Sequence, residues 1–223
     1  MPDEELSTCL DQLRQSFEEG ACGLSFGLGY DPGMYSSLEE LQAFCQTAAD
    51  ADATATVHLK AYSSISPCYP LTTREAHNVR ALREMLDVAR RTGVRLQLSH
   101  FIFVGRRSWR SAERCLEMVD SARREGLDIM IDAFPYTCGN TTIHAPFPYW
   151  FLAAIPGAYR SRLARARLRV EGDGCRRRRL GGPQRVHDFR HRARVEDLAV
   201  RRHAHLGGAE QGRRDHAISQ LQW

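Results

Sequence analysis

The chain has 223 residues, enough for one domain with a hydrophobic core. Its N-terminus is acidic without an apolar run, and no apolar stretch approaches the ~20 residues of a membrane span, so we expect a cytoplasmic protein without a signal peptide and with no membrane contact. The seven cysteines are odd in number and include no C-x-x-C pair, which argues against a secreted disulfide framework.

The net charge of +4 conceals an uneven distribution. Residues 1–159 contain 14 cationic and 20 acidic side chains, whereas residues 160–223 contain 17 arginines and seven acids. We therefore place a boundary after residue 159 and interpret residues 160–223 as an arginine-rich tail, either disordered or translated from a shifted reading frame of GC-rich DNA. The alternative is a genuine basic tail that binds nucleic acid, although it has no interleaved aromatic residues and no binding motif.

The first 159 residues contain two alternating patterns. Apolar residues spaced by three and four predict helices, and short apolar or β-branched runs predict strands. In chain order these are a helix over 4–19, a strand over 21–28, a helix beginning at Ser36 or Ser37, a strand over 54–58, a helix from 74 that ends at Gly93, a strand over 94–100, a helix beginning at Ser108, and a strand over 127–132. This order predicts an α/β fold of parallel βαβ units, either an open doubly wound sheet or a (β/α)8 barrel. No glycine-rich nucleotide-binding motif is present at a strand-to-helix turn.

Two predicted strands end on a histidine. His58 closes the second strand and His100 closes the third. Parallel strands of a barrel present their chemistry at their carboxyl ends, and side chains of adjacent strands converge across the ~4.8 Å strand spacing. Because neutral imidazole is a good ligand for Zn²⁺, the pair is a candidate for two zinc ligands. The alternative is that each histidine only satisfies backbone groups at its strand end.

Other polar residues near these strand ends are candidates for substrate binding. Asp132 ends the fourth strand and could support a ligand, bind substrate or cap the chain. Lys60 shares a face with His58 and could neutralise a substrate carboxylate, or be a solvated loop lysine. Tyr136 and Asn140 follow the fourth strand and could donate hydrogen bonds to a substrate, or pack within the loop. Structural roles are expected for a further set of residues: His77, His144, Trp109, Trp150 and Phe151.

Four motifs resemble a known family when they are taken together. The segment GACGLSFGLGYDPG, residues 20–33, is similar to a glycine-punctuated segment of the N-acyl-D-amino-acid deacylases, the D-aminoacylase branch of the amidohydrolase superfamily. TVH at 56–58, QLSH at 97–100 and DAFPYT at 132–137 follow in the family's order. The resemblance covers about residues 18–157, and its glycines and Pro-Gly turn make the first motif the most specific.

The resemblance implies that the chain is the central part of a (β/α)8 barrel, with these strands as roughly the fourth to seventh. It also implies that His58 and His100 are the histidine ligands of the fifth and sixth strands, and that zinc activates water to hydrolyse a C–N amide bond of a small-molecule substrate. A carboxylate then transfers the water's proton to the leaving amine.

The chain departs from the family pattern at several positions. A first-strand His-x-His pair, a ligating cysteine and an eighth-strand aspartate have no counterpart, so the general base is not identified. Ile102 and Phe134 replace a lysine and a tyrosine that the family often has, which leaves a cyclic-amide substrate, as in dihydroorotases or hydantoinases, as the alternative. We expect the isolated chain to bind zinc weakly and to be inactive as a monomer, and the sequence leaves its oligomeric state open.

Overall fold

The computed structural model describes residues 2–70, 74–133 and 147–170. Tyr136, Asn140 and His144 lie outside these residues, as does most of the arginine-rich tail. The helices and strands of the described part are α1 Asp3–Glu18, β1 Gly23–Gly27, α2 Leu38–Asp50, β2 Thr54–His58, α3 His77–Thr92, β3 Arg95–Leu98, α4 Arg106–Trp109, α5 Ala112–Arg124, β4 Ile129–Ile131, α6 Tyr149–Leu152 and α7 Gly157–Arg160. A 3-10 turn covers Gly33–Tyr35, and residues 162–170 are helical.

The four strands form one parallel sheet in the order β1-β2-β3-β4. Each strand pairs with the next one along the chain, and a helix lies between every two strands. The register aligns Gly27 with His58, and Val57 with Leu98. The prediction of parallel βαβ units in a sheet of about four strands is therefore confirmed.

The two faces of the sheet differ in chemistry. Ala55 and Val57 of β2 are fully buried, as are Leu96 and Leu98 of β3, because these side chains alternate toward the covering helices. Helix residues that complete this core include Leu41, Cys45, Leu82, Met85, Leu86, Cys115 and Val119. The opposite face carries an in-register row of mostly polar residues, Ser25, Thr56, Gln97 and Met130. His58 has the same alternation as Thr56, so the fold places it on this second face.

Local sequence signals explain where several helices begin and end. Ser37 caps α2 in a capping box: its hydroxyl accepts from the Glu40 amide at 3.2 Å, and the Glu40 carboxylate accepts from the Ser37 amide at 2.8 Å. Gly93 ends α3 in the left-handed region, with φ 69°. No helix of the described residues is long and apolar enough to cross a membrane.

Two predicted helix boundaries are wrong. The helix predicted from residue 74 begins at His77, whose amide donates to the Ser64 carbonyl at 3.1 Å. The single helix predicted from Ser108 is instead the short α4 followed by α5. Ser108 does not cap a helix, because its hydroxyl is buried, accepts from the Ser64 amide at 2.7 Å and donates to the Val104 carbonyl at 2.8 Å.

Candidate metal centre

His58 is the last residue of β2, and its position is fixed by both neighbouring strands. Its carbonyl accepts from the Leu28 amide at 3.0 Å, which extends the pairing with β1 beyond Gly27. The ring lies 4.6 Å from the Tyr30 ring, centroid to centroid. A Cβ atom at Gly29 would lie 2.8 Å from Nε2 of His58, so only glycine leaves room for the imidazole here.

His100 follows β3 by two residues and has an unusual backbone conformation. Its φ is 35°, in the left-handed region that residues other than glycine rarely adopt. The amide of His100 donates to Oδ1 of Asp132, and Oδ2 of Asp132 accepts from Nε2 of Gln97 at 2.8 Å. The Asp132 carboxylate therefore ties the end of β4 to the turn that carries His100, and stabilises that turn.

The two histidine side chains meet. Nδ1 of His58 lies 2.8 Å from Nε2 of His100, and the ring centroids are 4.6 Å apart. At this distance one nitrogen donates and the other accepts, depending on the tautomers. Burial, and secondarily the neighbouring His100, lower the pKa of His58 to about 4, so the His58 imidazole is neutral at pH 7.

This donor set fits zinc as two of its ligands. Two imidazole nitrogens on one tetrahedral zinc, each at ~2.0–2.1 Å, would be separated by roughly 3.4 Å, so a small opening of the observed pair would accommodate the ion. Neutral imidazole is the form that binds metals. Within the described residues, no group of three or more histidine, cysteine, aspartate or glutamate side chains could hold a metal.

Lys60 lies in the loop that follows β2. Its Nζ donates to the Ser36 carbonyl at 2.6 Å, which joins this loop to the turn that follows β1. Burial lowers the pKa of Lys60, and the Glu84 carboxylate opposes that shift. No hydrogen bond among the described residues joins Lys60 to either histidine.

Three residues of the site were not singled out from the sequence: Tyr62, Tyr30 and Gly29. The Tyr62 hydroxyl accepts from the Leu59 amide at 3.0 Å and donates to the Ser99 carbonyl at 2.8 Å. Burial raises the pKa of Tyr62. Tyr30 and Gly29 belong to the glycine-punctuated segment, so that motif was the available signal. Tyr62 carried none, because it lies in a loop rich in serine and proline.

Curated relatives of this chain are deacylases of N-acyl-D-amino acids. The N-acyl-D-glutamate deacylase of Alcaligenes xylosoxydans xylosoxydans is 33% identical over 135 residues, which make up 60% of this chain and 25% of that protein. The D-aminoacylase of the same organism is 26% identical over 141 residues, or 63% of this chain and 26% of that protein. This chain therefore spans about a quarter of the length of these relatives. No family model matches it.

A solved structure extends the likeness to the fold. The N-acyl-D-glutamate deacylase of Bordetella bronchiseptica, crystallised with zinc and a phosphonate that mimics the tetrahedral intermediate, matches 61% of this chain and 26% of its own, with a TM-score of 0.55 and 26% identity. The resemblance to the D-aminoacylase branch of the amidohydrolases is confirmed, and so is the predicted fold, a part of a (β/α)8 barrel.

Proposed function

We propose that this chain forms part of the active site of a zinc-dependent, cytoplasmic amidohydrolase that hydrolyses the amide bond of an N-acyl-D-amino acid. The observation that carries the proposal is the contact between His58 and His100, two imidazoles from adjacent parallel strands whose facing nitrogens are 2.8 Å apart. The relatives are named for this reaction, and a structure of similar fold was obtained with zinc.

The chain's own residues prepare the metal ligands. His58 offers a neutral nitrogen because burial keeps its pKa near 4. The Asp132 carboxylate accepts a hydrogen bond from the His100 amide and so fixes the turn that carries His100. Gln97 donates to the other oxygen of the same carboxylate and fixes Asp132. When bound, zinc supplies Lewis-acid activation of an amide carbonyl and of water. We propose that Asp132 acts through His100 as the carboxylate that supports a ligand, which is one of the three roles that the sequence left open.

Lys60 is the residue that we propose to bind the substrate. Lys60 is half-buried, and burial lowers its pKa because it disfavours the charged ammonium group. A substrate carboxylate next to Nζ would stabilise the charged form, with the Ser36 carbonyl as the contact that it replaces. Tyr136 and Asn140 remain candidates from the sequence as donors to the substrate.

The metal half of the proposal is tested by zinc binding to the full chain. The chain contains nine histidines, six of which are outside the described residues, so total zinc is not diagnostic. The informative quantity is the difference in Co²⁺ or Zn²⁺ bound between the wild type and the variants His58→Ala and His100→Ala. His77→Gln is the matched control, because His77 is another buried histidine and its Nδ1 accepts from the Ser66 amide at 2.7 Å.

We expect both His58→Ala and His100→Ala to lose the same weak site, and His77→Gln to keep it. Two imidazoles without a third protein ligand predict an affinity far below that of a four-coordinate structural site. Equal metal binding by the wild type and both alanine variants would overturn the assignment.

The substrate half is tested by ligand binding rather than turnover. The Co²⁺-loaded chain is titrated with N-acetyl-D-glutamate, and N-acetyl-L-glutamate serves as the control of identical charge and composition. A change in the cobalt spectrum with the D-enantiomer alone, weakened in Lys60→Met, supports the proposal. The same response to both enantiomers, or no response to either, refutes the proposed substrate.

A further inference from the structure

Tyr62 connects the two histidine-bearing strand ends through one hydroxyl group. It accepts a hydrogen bond from the amide of Leu59, the residue after His58, at 3.0 Å. It donates to the carbonyl of Ser99, the residue before His100, at 2.8 Å. The hydroxyl thus joins the backbone immediately next to each histidine, and a change in either bond would alter the separation of the two strand ends.

The Tyr62 ring contacts both imidazoles as well. Its centroid lies 5.0 Å from that of His58, nearly perpendicular at 88°, and 5.0 Å from that of His100, at 58°. These are the edge-to-face and tilted arrangements that aromatic pairs prefer. Because the Tyr30 ring and the Gly29 backbone flank His58 as well, its imidazole has little freedom to rotate away from His100.

Tyr62 is itself fixed from a third side. Its carbonyl accepts from the Val104 amide at 2.7 Å, which anchors it to the segment that follows His100. The residue is only 9% exposed. The hydroxyl of this buried tyrosine both donates to and accepts from backbone groups. Its position is therefore fixed, because both hydrogen bonds must break before the side chain can move.

We propose that Tyr62 is a second positioning residue of the metal centre beside Asp132, and that it sets the distance and mutual orientation of His58 and His100. It acts through the two histidines and does not itself contact the metal or substrate. The zinc part of this inference rests on the proposed function, but the arrangement of the two rings can be tested without metal.

The test compares Tyr62→Phe with Tyr69→Phe in the full chain. Tyr62→Phe removes only the hydroxyl and keeps the ring. Tyr69 is a second buried tyrosine, whose hydroxyl donates to Oε2 of Glu84 at 2.5 Å and whose ring lies 5.3 Å from that of His77. Its variant therefore controls for the general effect of removing a buried, hydrogen-bonded hydroxyl.

Two readouts separate positioning from stability. The first is nitrogen–nitrogen coupling across the hydrogen bond between His58 and His100, measured by NMR on the metal-free chain. The second is the Zn²⁺ affinity that depends on His58. Both variants are also measured with trimethylamine N-oxide, which favours the folded state, so that a failure to fold does not mask the result.

We expect Tyr62→Phe to lose the coupling and to bind zinc at least tenfold more weakly, while Tyr69→Phe keeps the coupling and binds within about twofold of the wild type. Retention of both properties in Tyr62→Phe overturns the inference, and so does an equal loss in both variants. If the wild type shows the coupling but no zinc site, the proposed function fails while the coupling still decides the role of Tyr62.

Discussion

Gly29→Ala tests whether the space beside His58 is required for the histidine pair. The added Cβ would lie 2.8 Å from Nε2 and 3.0 Å from Cδ2 of His58, and 3.3 Å from the Leu59 carbonyl oxygen. Carbon atoms in contact normally lie ~3.5–4.0 Å apart, so the ring would have to move by several tenths of an ångström. Since Tyr30, Tyr62 and His100 surround the ring, that movement breaks the contact with His100.

The expected loss of stability combines two effects. Overpacking by one methyl group typically costs about 1–3 kcal/mol, and a lost hydrogen bond about 0.5–1.5 kcal/mol. Partial relaxation of the ring reduces the first term, so we expect the free energy of unfolding to fall by about 2 kcal/mol. Neither Gly29 nor Gly27 has a φ between +20° and +160°, so backbone strain does not contribute to the effect.

Gly27→Ala is the matched control. It lies two residues away in the same segment, and its added Cβ meets nothing closer than the Tyr30 ring at 3.9 Å, an ordinary contact. We expect its stability to change by less than about 1 kcal/mol in either direction. The assay is urea unfolding of both variants together with NMR of the histidine rings. If Gly29→Ala keeps the His58–His100 coupling and matches Gly27→Ala in stability, the steric argument is wrong.

The titration of His58, the cap of α2 and the Asp132 carboxylate can each be tested by one substitution. The folded-state pKa of His58, about 4, is below its ordinary value of 6.5. The free energy of unfolding should therefore be highest above pH 6.5 and fall by roughly 3 kcal/mol as the pH is lowered toward 4. A His58→Gln variant, measured by urea unfolding across this range, should lack this part of the pH dependence. Ser37→Ala removes one half of the α2 capping box and should lower the free energy of unfolding by about 1 kcal/mol, measured by the same assay against an exposed Ser7→Ala control. Asp132→Ala removes the acceptor of the His100 amide and should weaken His58-dependent zinc binding by roughly tenfold, measured by calorimetry; unchanged affinity would restrict Asp132 to a capping role.

The order of strands and helices could be predicted from sequence because local chemistry determines it. The alternation in β2 and β3 predicts which side chains meet the helices, and Ala55, Val57, Leu96 and Leu98 are all buried as that pattern requires. Element boundaries were less accurate. His77 and Ser108 form hydrogen bonds with the loop after β2, and such nonlocal bonds leave no periodic signal in a single sequence.

The candidate site was only half predictable for a related reason. His58 and His100 stand at strand ends, and topology alone brings adjacent strand ends together. Tyr62 is four residues beyond His58 in an irregular loop. Its role depends on the hydrogen bonds of its hydroxyl with the Leu59 amide and the Ser99 carbonyl, which the sequence does not reveal. Gly29 belongs to a motif that the sequence shows. The reason why glycine is needed there, the position of the His58 ring, is visible only in the three-dimensional structure.

The contact between His58 and His100 also limits how tightly the pair can hold a metal. The nitrogens that face each other at 2.8 Å form a hydrogen bond, and this bond must break before both nitrogens can turn to one ion. Metal binding therefore competes with an interaction that stabilises the metal-free chain. One of the two facing nitrogens carries the hydrogen of this bond, and that hydrogen must move to the other nitrogen of the same ring before both can bind one ion. No positive charge has to be removed from His58, because burial already keeps that ring neutral at pH 7. The Tyr30 and Tyr62 rings already hold the His58 ring beside His100, so the nitrogens have to separate only from 2.8 Å to roughly 3.4 Å to admit the ion.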